Sequence, residues 1–417
     1  MKALLFERSL PRFAASRLAS GLGSGRGAKV APLRLVDAET PALPGTGWHQ
    51  VTPLLSGICG SDLATLDGRS SRYFEPLVSF PFVPGHEVVG TLETAAVGAD
   101  RSSLEAGSRV VIQPVLGCAA RAIDPMCASC AAGHAGDCEQ VAFGHLSPGI
   151  QTGFCSDTGG GWSNAGLVAH ESQLYAVPSG LSDTDAVTIE PMACAVHAVL
   201  GAGVRDGQVV AVLGAGTLGL AAVAALTYLG TAGFIPVPQA LLVGARYANQ
   251  RALAAEFGAT SALSPDQLPR AVRRHSRSMT MGGASGGRLT GGADLVFDCV
   301  GSAESIAQSL AIVRPRGTIV LIGMPGRVSI DLASLWHREI RLIGAYAYGT
   351  ERVKQLERST FSLAIDMVAA MGTGRLVSAT YPLDRFEEAV AHAGAAGRRG
   401  AVKIAFDLQA TAKGHRR

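Results

Sequence analysis

The stretch VVAVLGAGTLGL, Val209 to Leu220, leaves a chain few ways to fold. Five apolar residues run into Gly214, and Gly216 and Gly219 complete a G-x-G-x-x-G spacing with Thr217 and Leu218 between the last two. The apolar run TLGLAAVAALTYL continues from Thr217 to Leu229. A buried strand, a glycine turn and a helix fit this pattern. The glycines permit a tight turn and a close backbone approach to a pyrophosphate, which sits at the helix N-terminus.

The surrounding sequence repeats the alternation. VVAVLG, ALLVGA, LVFDCVG and GTIVLIG read as short buried strands, with TLGLAAVAALTYL and ANQRALAAEFGA as helices between them. That order predicts an α/β fold with a doubly wound parallel sheet. Residues up to about Ser182 have another character, rich in Gly and Pro, with VVGTLETAAV and GSRVVIQPV as strands bounded by turns. The Gly-rich segment Met279–Gly292 reads as a loop, and GAVKIAFDL near the C-terminus as a strand. A length of 417 residues favours two domains. The expected boundaries are 1–188 for the first, 189–350 for the nucleotide-binding domain, and 351–417 for a segment returning to the first.

Lys plus Arg number 36 and Asp plus Glu 33, a net charge of +3. Such a balance supplies no field for nucleic acid or an anionic membrane. RAVRRHSRS from Arg270 reads as a solvated loop and KGHRR as a tail. Residues 207–245 carry no charge, but glycines and IPVPQ interrupt them, so they do not read as a membrane span. The N-terminal apolar run is too short for a signal peptide. A soluble, cytoplasmic chain is expected.

The strand after the glycine helix should end in an acid for the adenosine ribose hydroxyls. Between Leu220 and Ala255 there is none; Ala245 stands at about that place and Arg246 follows. A guanidinium without the carboxylate favours a 2′-phosphate, hence NADP, with NAD left open.

Eight cysteines are clustered rather than scattered. Cys118, Cys127, Cys130 and Cys138 fall in one Gly-rich lobe, 117–139, where four thiolates close a tetrahedral structural zinc site. His134 lies in the same lobe as a substitute ligand. A second constellation joins distant segments: Cys59 in SGICGSDL, His86 and Glu87 in PGHEVVG, and Glu190 in IEPMACAVHA. Mixed S, N and O ligands are the set of a catalytic zinc with one exchangeable position, where a metal polarises an alcohol oxygen and lowers its pKa. Asp62 is placed to orient His86. Cys194, one turn after Glu190, is the rival ligand; Cys155, Cys299, His170 and His197 read as packing or surface residues.

With GICGSD, GHEVVG, the four-Cys lobe, EP before a helix, GAGTLG and DCVG at Asp298–Gly301, the chain resembles the zinc-containing medium-chain dehydrogenase/reductase family, on its polyol and threonine dehydrogenase side. The resemblance covers nearly the whole chain. It implies a GroES-like, mostly β catalytic domain beside a Rossmann domain, two zinc ions per chain, and a homodimer or homotetramer. It also implies that Ser61 passes on the substrate proton and that Lys403 lies near the cofactor phosphates. Glu87 would be a ligand or exchange with water. The implied activity is hydride transfer between an alcohol or polyol, or the matching carbonyl, and NADP(H). The alternatives are an NAD-dependent threonine- or sorbitol-type dehydrogenase, a zinc-dependent lyase or isomerase holding NAD(P) tightly, and a binding protein that keeps only the fold. Two departures stand out. No histidine follows Ser61 in SDLATLDG, where many relatives have an outer relay residue, and eight residues separate the first two lobe cysteines where most relatives have two.

Overall fold

The computed structural model describes residues 1–282, 287–354 and 356–410. The chain divides into two compact units. The first comprises Met1–Glu190, Tyr348–Thr350 and the chain from Phe361 onward; the second comprises Pro191–Ala347 and Glu351–Thr360. The return to the first unit thus begins at Tyr348, and ten residues expected in the C-terminal segment, Glu351–Thr360, pack with the second unit.

Six parallel strands make the sheet of the second unit. From edge to edge they are Ser261–Leu263, Ala240–Gly244, Val209–Leu213, Ala293–Asp298, Val313–Leu321 and Arg341–Gly344. Strands Val209–Leu213 and Ala240–Gly244 are buried at every position, which explains their unbroken apolar sequences. The chain enters the sheet at Val209–Leu213, builds out to one edge, then returns to build the other from Ala293–Asp298. The glycine turn therefore sits at the switch point of the strand order, where such sheets bind ligands. Helix Thr217–Thr231 follows it.

Two sequence expectations are corrected here. RAVRRHSRS is mostly helical: Leu268–His275 is an α-helix because Leu268 and Val272 lie on one face and are buried, leaving the arginines to solvent. Within the Met279–Gly292 segment, Thr280–Met281 pairs with Arg288–Leu289 as a hairpin. Its residues 283–286, and the tail 411–417 that contains KGHRR, lie outside the described residues.

In the first unit a mixed sheet runs Val377–Pro382, Lys403–Asp407, Trp48–Gly57, Val88–Leu92, Arg109–Ile112, Leu174–Ala176, and Leu167–His170 also pairs with Trp48–Gly57. The first pair is parallel and the others antiparallel. One core cluster, with Val51, Val88, Leu92, Val110 and Ile112, fills one side. Another joins Leu4, Phe6, Ile58, Leu66, Phe82, Trp162, Ile404 and Phe406. Residues 8–31 had no secondary-structure reading from sequence. They form helix α1, Leu10–Ser20, and a 3-10 turn, Arg26–Lys29.

The third glycine of the turn is the most constrained. A Cβ on Gly219 would sit 1.9 Å from the Gly214 carbonyl oxygen, whereas one on Gly216 would meet nothing within 4 Å. Gly219→Ala is expected to lower unfolding stability by about 1–3 kcal/mol through overpacking. Gly216→Ala should cost distinctly less. Urea denaturation of the two variants measures the contrast.

Candidate functional site

Strand Trp48–Gly57 ends just before Cys59, which N-caps helix α2, Gly60–Leu66. Asp62 at the third helical position accepts the Cys59 backbone N–H at 2.9 Å, and its other oxygen lies 3.5 Å from His86 Nδ1. One carboxylate thus orients both residues, and the second ring nitrogen of His86 is left for a ligand. His86 and Glu87 precede strand Val88–Leu92, and the Gly57 N–H donates to the Glu87 carbonyl. Sulfur, imidazole nitrogen and carboxylate oxygen of Cys59, His86 and Glu87 all lie within 4.8 Å of one another.

Glu190 stands outside that trio. Its Oε1 accepts the Tyr348 hydroxyl at 2.7 Å. Burial raises its pKa and Glu87 adds to the rise, against the opposing pull of His86, Tyr348 and Lys403. Glu190 is therefore close enough to feel the trio electrostatically. Cys194, the rival ligand, is likewise not a member of the trio.

Lys403 has a different partner from the one expected beside cofactor phosphates. It begins strand Lys403–Asp407, is 2% exposed, and forms an ion pair with Glu87 Oε2. Its Nζ also donates to the Ile58 carbonyl at 3.3 Å. Burial works against its charge, but Glu87 and Cys59 more than offset this and raise its pKa. His86 behaves alike: burial opposes its charge, yet Asp62 and Cys59 lift the pKa well above the usual imidazole range.

These shifts test the fit of a metal. The cluster balances its buried negative charge with protons on His86 and Lys403. A divalent cation among Cys59, His86 and Glu87 would supply that charge instead, displacing the His86 proton. Thiolate, imidazole and carboxylate are a donor set that zinc takes.

Sequence reasoning missed Lys403 and Tyr348 in these roles, and also Trp162. The Trp162 indole N–H donates to the Gly57 carbonyl at 3.2 Å and the ring is fully buried. The three glycines before it were the available signal: a Cβ on Gly160 would lie 2.0 Å from the Val83 carbonyl oxygen, and one on Gly161 2.3 Å from Ser56 Oγ. Ser61 lies half-buried in the first turn of α2. Further along, Thr65 Oγ1 donates to the Ser61 carbonyl at 2.9 Å and pairs with Ser70 Oγ at 3.0 Å, so this hydroxyl chain ends on backbone rather than on the Ser61 side chain.

The four lobe cysteines converge as expected, their sulfurs all within 4.8 Å of one another. Backbone N–H groups point at them: Cys127 at Cys118 Sγ, 3.4 Å; Cys130 at Cys127 Sγ, 3.4 Å; Cys118 at Cys130 Sγ, 3.5 Å; Gln140 at Cys138 Sγ, 3.4 Å. Such donors stabilise thiolates, so the lobe fits a closed zinc site. The long first spacing has its own anchor. Arg121, fully buried, donates to the carbonyls of Leu116 at 2.9 Å, Phe143 at 2.9 Å and Gly149 at 2.7 Å.

At the glycine turn, Gly214 has φ +86°, a conformation that favours glycine. Asp298 on the adjacent strand accepts the Val300 and Gly301 N–H groups at 2.9 and 3.0 Å. Ala245 is buried and Arg246 is exposed. Arg251 Nη1 donates to the carbonyls of both, 3.0 Å each.

A nucleotide-type switch point and a sulfur–imidazole–carboxylate cluster on one chain define a metal-dependent enzyme of dehydrogenase architecture. Comparisons with known proteins agree. Residues 45–179 match the alcohol dehydrogenase GroES-like domain, and residues 240–369 match the zinc-binding dehydrogenase domain. A protein of Aspergillus fumigatus named "Probable D-xylulose reductase A" is 30% identical over 81% of this chain and 83% of its own length. The sorbitol dehydrogenase of Bacillus subtilis is 25% identical over 86% and 91%. Among solved structures, a protein from Sinorhizobium meliloti described as a zinc-binding dehydrogenase, with NADP bound, is 25% identical, covers 90% of this chain and 95% of its own, and superposes with a TM-score of 0.64. The chain belongs to the zinc-containing dehydrogenase family. It is a zinc-dependent oxidoreductase of the alcohol and polyol dehydrogenase kind.

The lobe thiols differ in acidity when metal-free. Burial opposes it, but the backbone N–H groups of Cys130 and Glu139 lower the Cys127 pKa to about 7. Burial pushes Cys138 up to about 11 and Cys130 higher still. In chelator-treated protein, iodoacetamide is expected to modify Cys127 ahead of Cys130 and Cys138, with a rate rising through pH 7 as the thiolate forms. Zinc should suppress the reaction. Peptide mass mapping of the alkylated sites checks this.

Proposed function

We propose that the protein catalyses NADP(H)-dependent interconversion of an alcohol or polyol with its aldehyde or ketone. The carrying observation is the convergence of half-buried Cys59 with buried His86 and Glu87, and Ser61 in the adjoining helical turn. A zinc ion held by the trio would act as a Lewis acid that lowers the pKa of a substrate hydroxyl. Asp62 fixes the tautomer and direction of His86. Lys403 shares Glu87 with the metal position through its ion pair. Glu190, hydrogen-bonded by Tyr348, stands at the edge of the donor set as a fourth ligand or a partner for bound water. Ser61 accepts the hydroxyl proton and releases it to water or cofactor hydroxyls, since no histidine follows it. The second zinc belongs to the four-Cys lobe.

On the cofactor side, Gly214, Gly216 and Gly219 with Thr217 and Leu218 would hold the pyrophosphate at the helix N-terminus. Arg246 would meet the 2′-phosphate. The NADP-bound relative and the absence of an acid at Ala245 support this preference over NAD. The polyol class is supported by the two curated relatives. A homodimer or homotetramer is part of the same reading, supported by the exposed Leu342 on edge strand Arg341–Gly344 and by Trp336, 80% exposed. So is a cytoplasmic location. All eight cysteines are free, which suits a reducing compartment. Among the described residues no helix is long and apolar enough to cross a membrane.

Absorbance at 340 nm tests the proposal with zinc-loaded protein, a panel of alcohols, polyols and 3-hydroxy amino acids, and either nucleotide. Reduction of NADP⁺ by one class confirms it and names the substrate class. Turnover with NAD⁺ alone refutes the Arg246 reading, and bound zinc without any cofactor turnover refutes alcohol oxidation in favour of a lyase or isomerase.

Two variants sharpen the assignment. Ser61→Ala should lower kcat by about 10²–10⁴-fold, the range for loss of an acid–base group, with the nucleotide KM unchanged. Arg246→Gln should raise the KM for NADP⁺ by about 10–100-fold, the loss of one charge-assisted bond, and leave NAD⁺ kinetics alone.

A further inference from the structure

We infer that residues 8–31 are a brace for α2, and that Asp67 is its keystone, a positioning residue that acts on the Cys59 end of the helix from the opposite end. This rests on the proposed roles of Cys59 and Ser61.

Helix α2 has seven residues, too few to hold its shape alone. Its first turn carries Cys59, Ser61 and Asp62, and through Asp62 it also sets His86. A small rotation of α2 would therefore move two metal donors and the proton acceptor together. What prevents rotation lies at the other end. The Leu66 carbonyl accepts the Ser16 hydroxyl, and the Gly68 carbonyl accepts Arg17 Nη1 at 3.3 Å. Ser16 and Arg17 both belong to α1.

Asp67, the C-cap of α2, is completely buried. Its carboxylate receives the Ser24 hydroxyl at 2.8 Å, the Gly25 N–H at 3.1 and 3.2 Å, and Arg69 Nη2 at 2.7 Å. A negative charge at a helix C-terminus opposes the helix dipole. Burying one there is tolerable only because three donors converge on it, two of them supplied by the brace. The brace is itself pinned. Gly25 has φ +78°, and a Cβ there would lie 2.5 Å from the Val390 carbonyl oxygen; one on Gly394 would lie 2.1 Å from that of Ser24. Val390 and Gly394 belong to helix Phe386–Gly394, which packs on strand Lys403–Asp407. Ala28 and Ala31 of the brace share one apolar cluster with Leu66, Ile58 and Ile404, the last two being neighbours in sequence of Cys59 and Lys403. The brace thus grips α2 and the support of Lys403 at once. It precedes the residues that match the GroES-like domain, 45–179.

The test uses full-length zinc-loaded protein with Asp67→Ala, Ser24→Ala and the conservative Ser24→Thr. Zinc release to a chelating dye, kcat, nucleotide KM and circular dichroism are measured for each. Asp67→Ala and Ser24→Ala should release one of the two zinc ions about tenfold faster, as for loss of an outer partner of a metal site, and leave the other unchanged. Their kcat should fall at an unaltered nucleotide KM, and Ser24→Thr should restore both readings. A folded Ser24→Ala or Asp67→Ala with parental zinc release and parental kcat overturns the brace. So does a kcat loss that only follows the folded fraction. Should Asp67→Ala fail to fold, the Ser24 pair decides. Zinc release is read without substrate, so a parent that binds zinc but turns nothing over refutes the dehydrogenase reading and leaves the brace to its own test.

Discussion

Everything in the first unit is arranged around charge taken out of water. Asp62, His86, Glu87, Glu190 and Lys403 are all buried, and an unpaired ion in such a place costs several kcal/mol. The cluster is tolerable only as a set, each member answered by another or by a bound cation. That demands placement from helix α2, the segment before strand Val88–Leu92, helix Ile189–Ala202 and strand Lys403–Asp407, and the backbone makes room for it. A Cβ on Gly57 would lie 1.8 Å from Glu87 Oε2 and 2.8 Å from Lys403 Cε, so the ion pair occupies the space a side chain would need. Trp162 fixes the same residue from the other side through its bond to the Gly57 carbonyl. The apolar neighbours Ile58, Val88 and Ile404 anchor the strand ends in the two cores.

Much of this was legible from residue type and spacing. Cys59, His86 and Glu87 interrupt apolar runs, and polar groups in such runs need a purpose. The lobe cysteines announce themselves by clustering. The strands of the second unit read directly because burial on both faces leaves no polar alternation to interpret. What stayed hidden depended on distance in the chain. Lys403 meets Glu87 across more than three hundred residues, and Tyr348 meets Glu190 across 158. No local pattern marks either pairing; only the register of strand Lys403–Asp407 beside Gly57 creates the first. The basic segment at Arg270 misled for the opposite reason. Its charge is conspicuous, while the two buried residues that make it a helix are few. Residues 8–31 carried no motif, because their role is to hold another helix.

The two donor clusters would serve a metal ion in different ways. The lobe is closed: four sulfurs face one another, backbone N–H groups cover them, and Arg121 ties the surrounding loop to itself through carbonyls. Nothing is left over to react, which suits a metal that holds shape. The trio at Cys59 offers three donors, with Glu190 outside it and hydrogen-bonded by Tyr348. An incomplete donor set leaves a position that a substrate oxygen can take.

The nucleotide turn obeys the reverse logic of the buried cluster. There, side chains crowd together and a glycine yields to them; here, side chains are withheld so that a ligand meets bare backbone. Gly216 caps helix Thr217–Thr231 with open space beyond it, and Ala245 presents only a methyl group where an acid would compete with phosphate. Arg251 completes the arrangement from beneath. Its guanidinium donates to the carbonyls of Ala245 and Arg246, engaging both acceptor oxygens and bringing a second positive charge next to Arg246. The proposed preference for a phosphorylated ribose would then rest on the turn and its support together, with Arg246 as the outermost residue.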